Sequence, residues 1–186
     1  DEISIQADAF YNKVEDKIVA LPTLFVWRMY NVGEVEIEGA DINLGASFSF
    51  GAGTRVKVQG NYSYQKAIDI TDPKGKNYKH QIPYTPLHSG NVTISILNRW
   101  ANLGYVMSVT GDRYALSQNI RSNLMPGYME HSVSVGKEFE IQGSGDTNYS
   151  WGIQVECQNI TDEQYDVIQY YPMPGRSLRV TLKFEM

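Results

Sequence analysis

The chain has 186 residues, with 16 Lys plus Arg against 21 Asp plus Glu and a net charge of −5. That length suits one domain, and the acidic balance argues against a nucleic-acid partner. No run approaches about 18 apolar residues, so no transmembrane helix is expected, but a β-barrel crosses a bilayer with half-apolar strands and averages out as polar.

The pattern along the chain has period two throughout, and it predicts eight strands. The first places Ile3, Ile5, Ala7, Ala9 and Tyr11 on one face, with Ser4, Gln6 and Asp8 on the other. The second ends in Ile42, Leu44, Ala46, Phe48 and Phe50, and the third carries Val56, Val58, Gly60, Tyr62 and Tyr64. Val92, Ile94 and Ile96 mark the fourth, and Leu103, Tyr105, Met107 and Val109 the fifth. The sixth has Met129, Val133, Val135 and Phe139, and the seventh Tyr149, Trp151, Ile153, Val155 and Cys157. The last runs through Leu178, Val180, Leu182, Phe184 and Met186. One misfit stands out. Val35 and Ile37 are apolar at odd positions, whereas the strand beyond Gly39 is apolar at even ones. Either a β-bulge at Gly39 flips the parity, or 31–39 projects beyond any apolar layer.

Connections alternate in length. Residues 16–30, 69–87, 112–126 and 161–175 are long links, while 51–54, 98–102 and 142–148 are tight. All long links therefore fall at one end of the meander, as in outer-membrane barrels. Tyr dominates the aromatics, with 13 residues beside 6 Phe and 3 Trp, and an amphipathic ring suits a half-oily, half-wet surface. Phe48, Phe50, Trp100, Phe139, Tyr149, Trp151 and Phe184 sit beside the tight turns or the C-terminus, and Tyr11, Tyr62 and Tyr64 lie about ten residues up their strands. Two aromatic rows one membrane crossing apart predict a lipid-facing wall, with lipid as a partner.

Ala9 to Val19, Asn31-Val32-Gly33 with Ile37 to Ile42, Ile82-Pro83-Tyr84-Thr85-Pro86-Leu87-His88, Gln158-Asn159-Ile160-Thr161-Asp162-Glu163-Gln164-Tyr165 and Tyr171-Pro172-Met173-Pro174-Gly175-Arg176-Ser177 follow one another in order. They resemble successive segments at the C-terminal end of TonB-dependent outer-membrane receptors. The resemblance spans nearly the whole chain, and the final strand resembles the family's outer-membrane assembly signal, with Met186 where the family usually ends on Phe or Trp. It implies an all-β antiparallel up-and-down meander, the C-terminal segment of a barrel of about 22 strands. It implies one β-barrel segment over 1–186, with the plug and the TonB-contacting segment outside this sequence. It implies active uptake of a scarce nutrient of siderophore-iron, haem or cobalamin type, energised by the TonB system through the plug. The final strand would engage the barrel-assembly machinery, and the compartment would be a Gram-negative outer membrane. Asn31, Gly33, Gly39, Pro83, Pro86, Asn159, Tyr165, Pro172, Pro174, Gly175 and Arg176 carry the motif and read as structural. Pro172 and Pro174 fix the last turn, Gly175 is expected at positive φ, and Arg176 can bond loop carbonyls or carboxylates.

The ligand candidates lie in the long links: Arg28, Tyr30, Tyr78, Tyr84, Arg113, Tyr114, Arg121, Tyr170 and Tyr171. Tyrosine rings and guanidinium groups suit stacking on, or pairing with, an anionic metal chelate. No cofactor is expected. His80, His88 and His131 lack ligand spacing, and the single Cys157 rules out a disulfide framework or a Cys-rich zinc site. Glu34, Glu36 and Glu38 share one face, which reads as a wet lumen or exposed loop base. No nucleophile elbow or P-loop spacing occurs, so an enzyme is not expected. The chain opens on Asp1 inside an alternating pattern, consistent with a leader that is removed or lies far upstream. Two alternatives stay open at this stage: a complete eight-stranded outer-membrane barrel acting as an adhesin or lipid-modifying enzyme, and a soluble β-barrel binding module.

Overall fold

The structure, a computed structural model, describes residues 1–22, 26–142 and 148–185. Among the described residues twelve strands occur: β1 (Glu2–Pro22), β2 (Trp27–Phe50), β3 (Thr54–Asp69), β4 (His88–Leu97), β5 (Asn102–Thr110), β6 (Arg113–Tyr114), β7 (Leu124–Met125), β8 (Tyr128–Gln142), β9 (Asn148–Gln158), β10 (Asp166–Ile168), β11 (Tyr171–Pro172) and β12 (Ser177–Glu185). Eight of them form one antiparallel sheet in the order β1-β2-β3-β4-β5-β8-β9-β12. Those are the eight strands that the alternation predicts. The short pairs β6–β7 and β10–β11 are separate ribbons inside the long loops.

The sheet is open. Its order is linear, and among the described residues β1 and β12 do not pair with each other. A closed eight-stranded barrel would join them, so the small-barrel alternative lacks its defining contact. Nor does the sheet fold over a core of its own. Among the described residues the buried apolar ones are Val35, Ala67, Ile68, Ile82, Ala115 and Met125, all toward the long-loop end. The accessible surface is 12699 Å², against about 9,000 Å² expected for a globular monomer of this mass. An open sheet leaves both faces uncovered, the apolar one included. Ile3, Ile5, Leu44, Leu178, Val180 and Leu182 are all exposed, with Leu182 74% accessible. A soluble binding module would cover those side chains.

Register accounts for the faces. In β1–β2 and β2–β3 the paired positions run from one end to the other without a shift, including Phe10↔Gly39 and Gly39↔Gln65. Of the two readings of this misfit, the β-bulge at Gly39 is therefore absent. A Cβ there would fall 2.6 Å from the Phe10 ring and against the Tyr64 carbonyl, so glycine makes room for the ring that covers it. Val35 and Ile37 stay on the same face as Asp41, which accepts a 2.5 Å hydrogen bond from Ser63. They are apolar because residues 70–87 fold back over this face, and Ile82 packs on Val35 and Ala67 with Ile37 at the margin. Gly33 serves the same fold-back. A Cβ there would strike Thr71, whose Oγ1 accepts the Glu34 N–H at 2.9 Å.

The link 16–30 is a second correction. Pairing continues to Pro22↔Trp27, so most of it is hairpin, not loop. Among the side chains described there, Asp16, Ile18, Arg28, Met29 and Tyr30 are exposed on both faces of the hairpin, so no alternation marks it. At about 3.3 Å per residue, β2 is about 80 Å long, far more than the 9–11 residues that cross a bilayer. β4, β5, β9 and β12, with 10, 9, 11 and 9 residues, have crossing length. The tight turns fall where expected. At 51–53 Gly53 takes φ 74°, and at 98–101 the Asn98 carboxamide accepts the Trp100 N–H at 3.0 Å. Most of the predicted 142–148 turn lies outside the described residues, as do Met186 and the side chain of Tyr149.

Candidate functional site: the long-loop rim and the wall that carries it

The apolar face carries the two aromatic rows. Phe139, Trp151 and Phe184 are consecutive cross-strand partners on β8, β9 and β12, with the last two rings 4.6 Å apart. Phe48, Phe50 and Trp100 extend this row, and the Lys137 ammonium lies 5.8 Å from the Trp100 ring and 5.2 Å from Phe139. Tyr11, Tyr62 and Tyr64 form the other row. Tyr64 is level with Ala40, ten residues from Phe50 on β2, which is about 33 Å along the strand and about 25 Å in height at a tilt of about 40°. That matches the apolar band of an outer-membrane wall.

Just beyond the tyrosine row, Glu34, Glu36 and Glu38 point to the same face as Ile42, not to the opposite one. They pair across strands: Lys13 with Glu34 at 2.6 Å, Lys66 with Glu38 at 2.8 Å, and the Tyr11 hydroxyl donating to Glu36 at 3.0 Å. Of the two readings of these carboxylates, the wet lumen is thus set aside, and the exposed loop base fits: they form a charged band above the aromatic row.

The long loops pack together into a rim. Asn159, 2% exposed and at φ 49°, holds the last one. Its Oδ1 accepts the Glu163 N–H at 2.9 Å, and its Nδ2 donates to the Glu163 carbonyl at 2.9 Å and to the Pro174 carbonyl at 3.5 Å. Tyr165 donates to Glu130 and stacks on Tyr128 with ring centroids 3.9 Å apart. Burial first, then the Glu130 hydrogen bond, push the Tyr165 phenol well above its ordinary range. Asn119 clasps Gln81 in both directions, and the Tyr84 N–H donates to the Tyr114 carbonyl at 2.7 Å, tying the second loop to the third. Burial also raises the Tyr84 phenol.

Two sequence readings change here. Arg113 is 3% exposed, and its guanidinium donates to the carbonyls of Pro126, Asp166 and Val167 while lying 5.3 Å from the Tyr128 ring. It is a tie between loops, not a group offered to a ligand. Gly175 does not take positive φ. It is glycine because a Cβ would fall 2.5 Å from the Asp162 carboxylate, which accepts the Arg176 N–H at 2.8 Å. The Arg176 side chain itself is exposed.

Among the described residues, clefts open at the rim. One, of about 540 Å³, brings Tyr30, Asn31 and Tyr78 together with Asp72, Lys76 and Asn77. A second, of about 480 Å³, lies between 124–127 and 163–172 and includes Tyr165 and Tyr170. A third, of about 320 Å³, holds Tyr84, Pro86 and the buried Arg113. Tyr170 and Tyr171 are 80% and 60% exposed, and Tyr170 stands at φ 68° with its N–H held by the Asp166 carboxylate at 3.0 Å. Arg28 and Arg121 are exposed, and Tyr114 is half-buried. None of these three lines a cleft named above. Among the described residues, no group of three or more His, Cys, Asp or Glu side chains could hold a metal ion. Asn77, Asn119, Glu130 and Tyr128 are rim residues that the sequence reading missed, since lone polar residues in a loop carry no periodic signal.

The comparisons with known proteins agree with this geometry. The family model described as TonB dependent receptor-like, beta-barrel matches residues 1–160. The ferric preacinetobactin receptor BauA of Acinetobacter baumannii aligns with a TM-score of 0.69 at 13% identity, over 98% of this chain and 27% of that one. The ferric-catecholate import receptor Fiu of E. coli K12 aligns with a TM-score of 0.66 at 18% identity, over 97% and 25% respectively. The chain thus spans about a quarter of the length of these two receptors. No curated protein sequence matches it significantly. With an open apolar-faced meander, two aromatic rows, a rim of long loops and a family model covering 160 residues, the chain belongs to the TonB-dependent receptor β-barrel family.

Proposed function

We infer that this chain forms the C-terminal part of the barrel of an outer-membrane receptor that imports a ferric siderophore. The observation that carries the reading is the rim: tyrosines on three loops, with Tyr170 and Tyr171 strongly exposed, on a wall of a receptor family. The likeness to two solved receptors named for ferric preacinetobactin and ferric-catecholate import supports the ligand class. Tyrosine rings would stack on the chelate, and the exposed Arg28 and Arg121 would meet its charge.

In this reading the apolar face meets lipid, the tight turns are periplasmic and the rim is extracellular. The full barrel has about 22 strands, so β1 pairs with a strand supplied by upstream sequence and β12 closes on the first strand of the barrel. A plug upstream engages the TonB system and carries the energy coupling. The last strand engages the barrel-assembly machinery. The chain supplies wall and rim and performs no catalysis, in keeping with a family of transport receptors. The test is uptake of radiolabelled ferric siderophore by cells making the full receptor, with Tyr30, Tyr78, Tyr170 and Tyr171 each replaced by Ala and all four together. Loss of uptake at normal receptor abundance is expected. Unchanged uptake in the quadruple variant would overturn the ligand role of the rim.

A further inference from the structure

The tight-turn end of the apolar face carries two cations around one indole ring. Lys137 on β8 is in register with Ile153 on β9 and, through it, with Leu182 on β12, both exposed residues of the wall. On the outward face of β4, β5, β8, β9 and β12 it is the one Lys, Arg, Asp or Glu among the described residues. A charge inside an apolar band is costly unless its head reaches the interface or a partner of opposite sign. The side chain reaches toward the tight turn 98–101. Its ammonium lies 5.8 Å from the Trp100 ring and 5.2 Å from Phe139. The Arg99 guanidinium lies 4.6 Å from the same Trp100 ring. All three distances fall within the reach of cation–π attraction, about 6 Å.

The ring thus gathers two like charges. Among the described residues neither is in a salt bridge. Glu138, next to Lys137 in sequence, faces the other side of the sheet, where it lines a hollow with Gly152 and Lys183. Arg99 is exposed, and Trp100 and Phe139 are 66% and 47% accessible, so the cluster opens outward. Just inside it lies an exposed apolar row, Leu103, Val135 and Val155, paired across β5, β8 and β9. A soluble anion would meet the cations and leave that row unused. A zwitterionic lipid brings a cation of its own, which offsets the attraction of its phosphate. An anionic amphiphile satisfies both the charges and the row.

We propose that Arg99, Trp100, Lys137 and Phe139 form a headgroup site for an anionic phospholipid of the periplasmic leaflet, with the guanidinium and the ammonium on its phosphate and an acyl chain against Leu103 and Val135. The two rings hold the cations at the depth of the headgroup. The site rests on the reading of the apolar face as lipid-facing and of the tight turns as periplasmic, and it does not depend on what the rim binds.

The test is native mass spectrometry of the full receptor, stripped of lipid in detergent and titrated with phosphatidylglycerol, phosphatidylcholine or inorganic phosphate, with the first lipid bound as the readout. Phosphatidylglycerol binds more tightly than phosphatidylcholine, its advantage shrinks as salt rises, and phosphate at equal concentration does not displace it. Arg99→Gln and Lys137→Gln each weaken phosphatidylglycerol about fivefold, and the double variant about thirtyfold, with phosphatidylcholine unchanged. Lys137→Arg keeps the preference. Lys66→Gln, beyond the tyrosine row, controls for loss of charge alone and also keeps it. Heat-dependent gel mobility checks that each variant is a folded barrel. Equal affinity for the two lipids, or a preference that survives the double variant, overturns the site and leaves the lipid-facing wall standing. Displacement by phosphate makes it a site for soluble anions and overturns the lipid assignment. Binding of neither lipid overturns both the site and the lipid-facing reading beneath it.

Discussion

Replacing Asn159 by Ala should release the last outer loop. The side chain is 2% exposed and makes two well-formed bonds to Glu163, one in each direction at 2.9 Å. Each is worth about 1 kcal/mol net, and its loss strands a backbone group of Glu163. The backbone adds to this. Asn159 sits at φ 49°, where asparagine is tolerated and alanine pays roughly 1 kcal/mol more. The sum, roughly 3 kcal/mol, corresponds to about a hundredfold rise in local opening. Amide hydrogen exchange of the full receptor, read at Glu163 and across 159–176, measures it. Asn159→Gly removes the bonds but not the backbone fit, so it should open the loop less than alanine does. Asn159→Asp keeps the acceptor for the Glu163 N–H and should cost least. Equal exchange at Glu163 in all three variants and the parent would refute the reasoning, and alanine no worse than glycine would refute its backbone part.

Tyr165 gives a pH dependence. Its phenol titrates above the ordinary value of 10.0 in the folded rim, so its contribution is fully present below pH about 10 and is lost as pH rises through the folded value. Exchange in 159–176 should therefore quicken above pH about 10, and Tyr165→Phe should abolish that step; a step that persists in the Phe variant would contradict this. Arg113→Ala leaves three loop carbonyls without their donor, and Arg113→Lys cannot restore the fork. Both should expose 111–127 to limited proteolysis, whereas Arg121→Ala should not. Gly39→Ala forces a Cβ into the Phe10 ring and should cost roughly 1–3 kcal/mol. Gly39→Ala with Phe10→Ala together should recover part of it, as read from urea denaturation monitored by gel mobility. On the lipid side, Leu182→Arg near mid-strand should cost about 2–4 kcal/mol, and Thr181→Arg on the opposite face much less.

The sheet was legible because lipid and water impose a two-residue period wherever a strand crosses the bilayer. Leu178 to Phe184 and Ile42 to Phe50 each announce a strand, a face and a register. The signal stops where the environment becomes the same on both sides. Residues 16–22 and 27–30 are strand in the structure but carry no alternation, because the side chains described there are mostly exposed on both faces. Parity also misleads where a loop folds back. Val35 and Ile37 are apolar on the polar face because Ile82 covers them, and the period alone could not choose between a bulge at Gly39 and a segment projecting beyond the apolar layer. The rim is less legible still. Arg113 was an attractive ligand residue by type, yet its role follows from carbonyls 13 and more than 50 residues away, a separation no local pattern reports. Gly39 was read as a possible bulge site and Gly175 as a positive-φ residue, whereas in the structure each meets a close approach, of the Phe10 ring and of the Asp162 carboxylate. Asn159 stood in the motif without a mechanism, and the structure supplies one.

The central claim is that the face carrying Leu178, Val180, Leu182 and Phe184 meets lipid while Arg179, Thr181 and Lys183 face the interior. Nitroxide labels placed singly at 178 through 184, on a Cys157→Ser background of the full receptor in bilayers, test it through accessibility to oxygen and to a water-soluble nickel complex. Oxygen accessibility should peak at the four even positions and nickel accessibility at the three odd ones. A flat profile, or peaks with the parity reversed, would contradict the account.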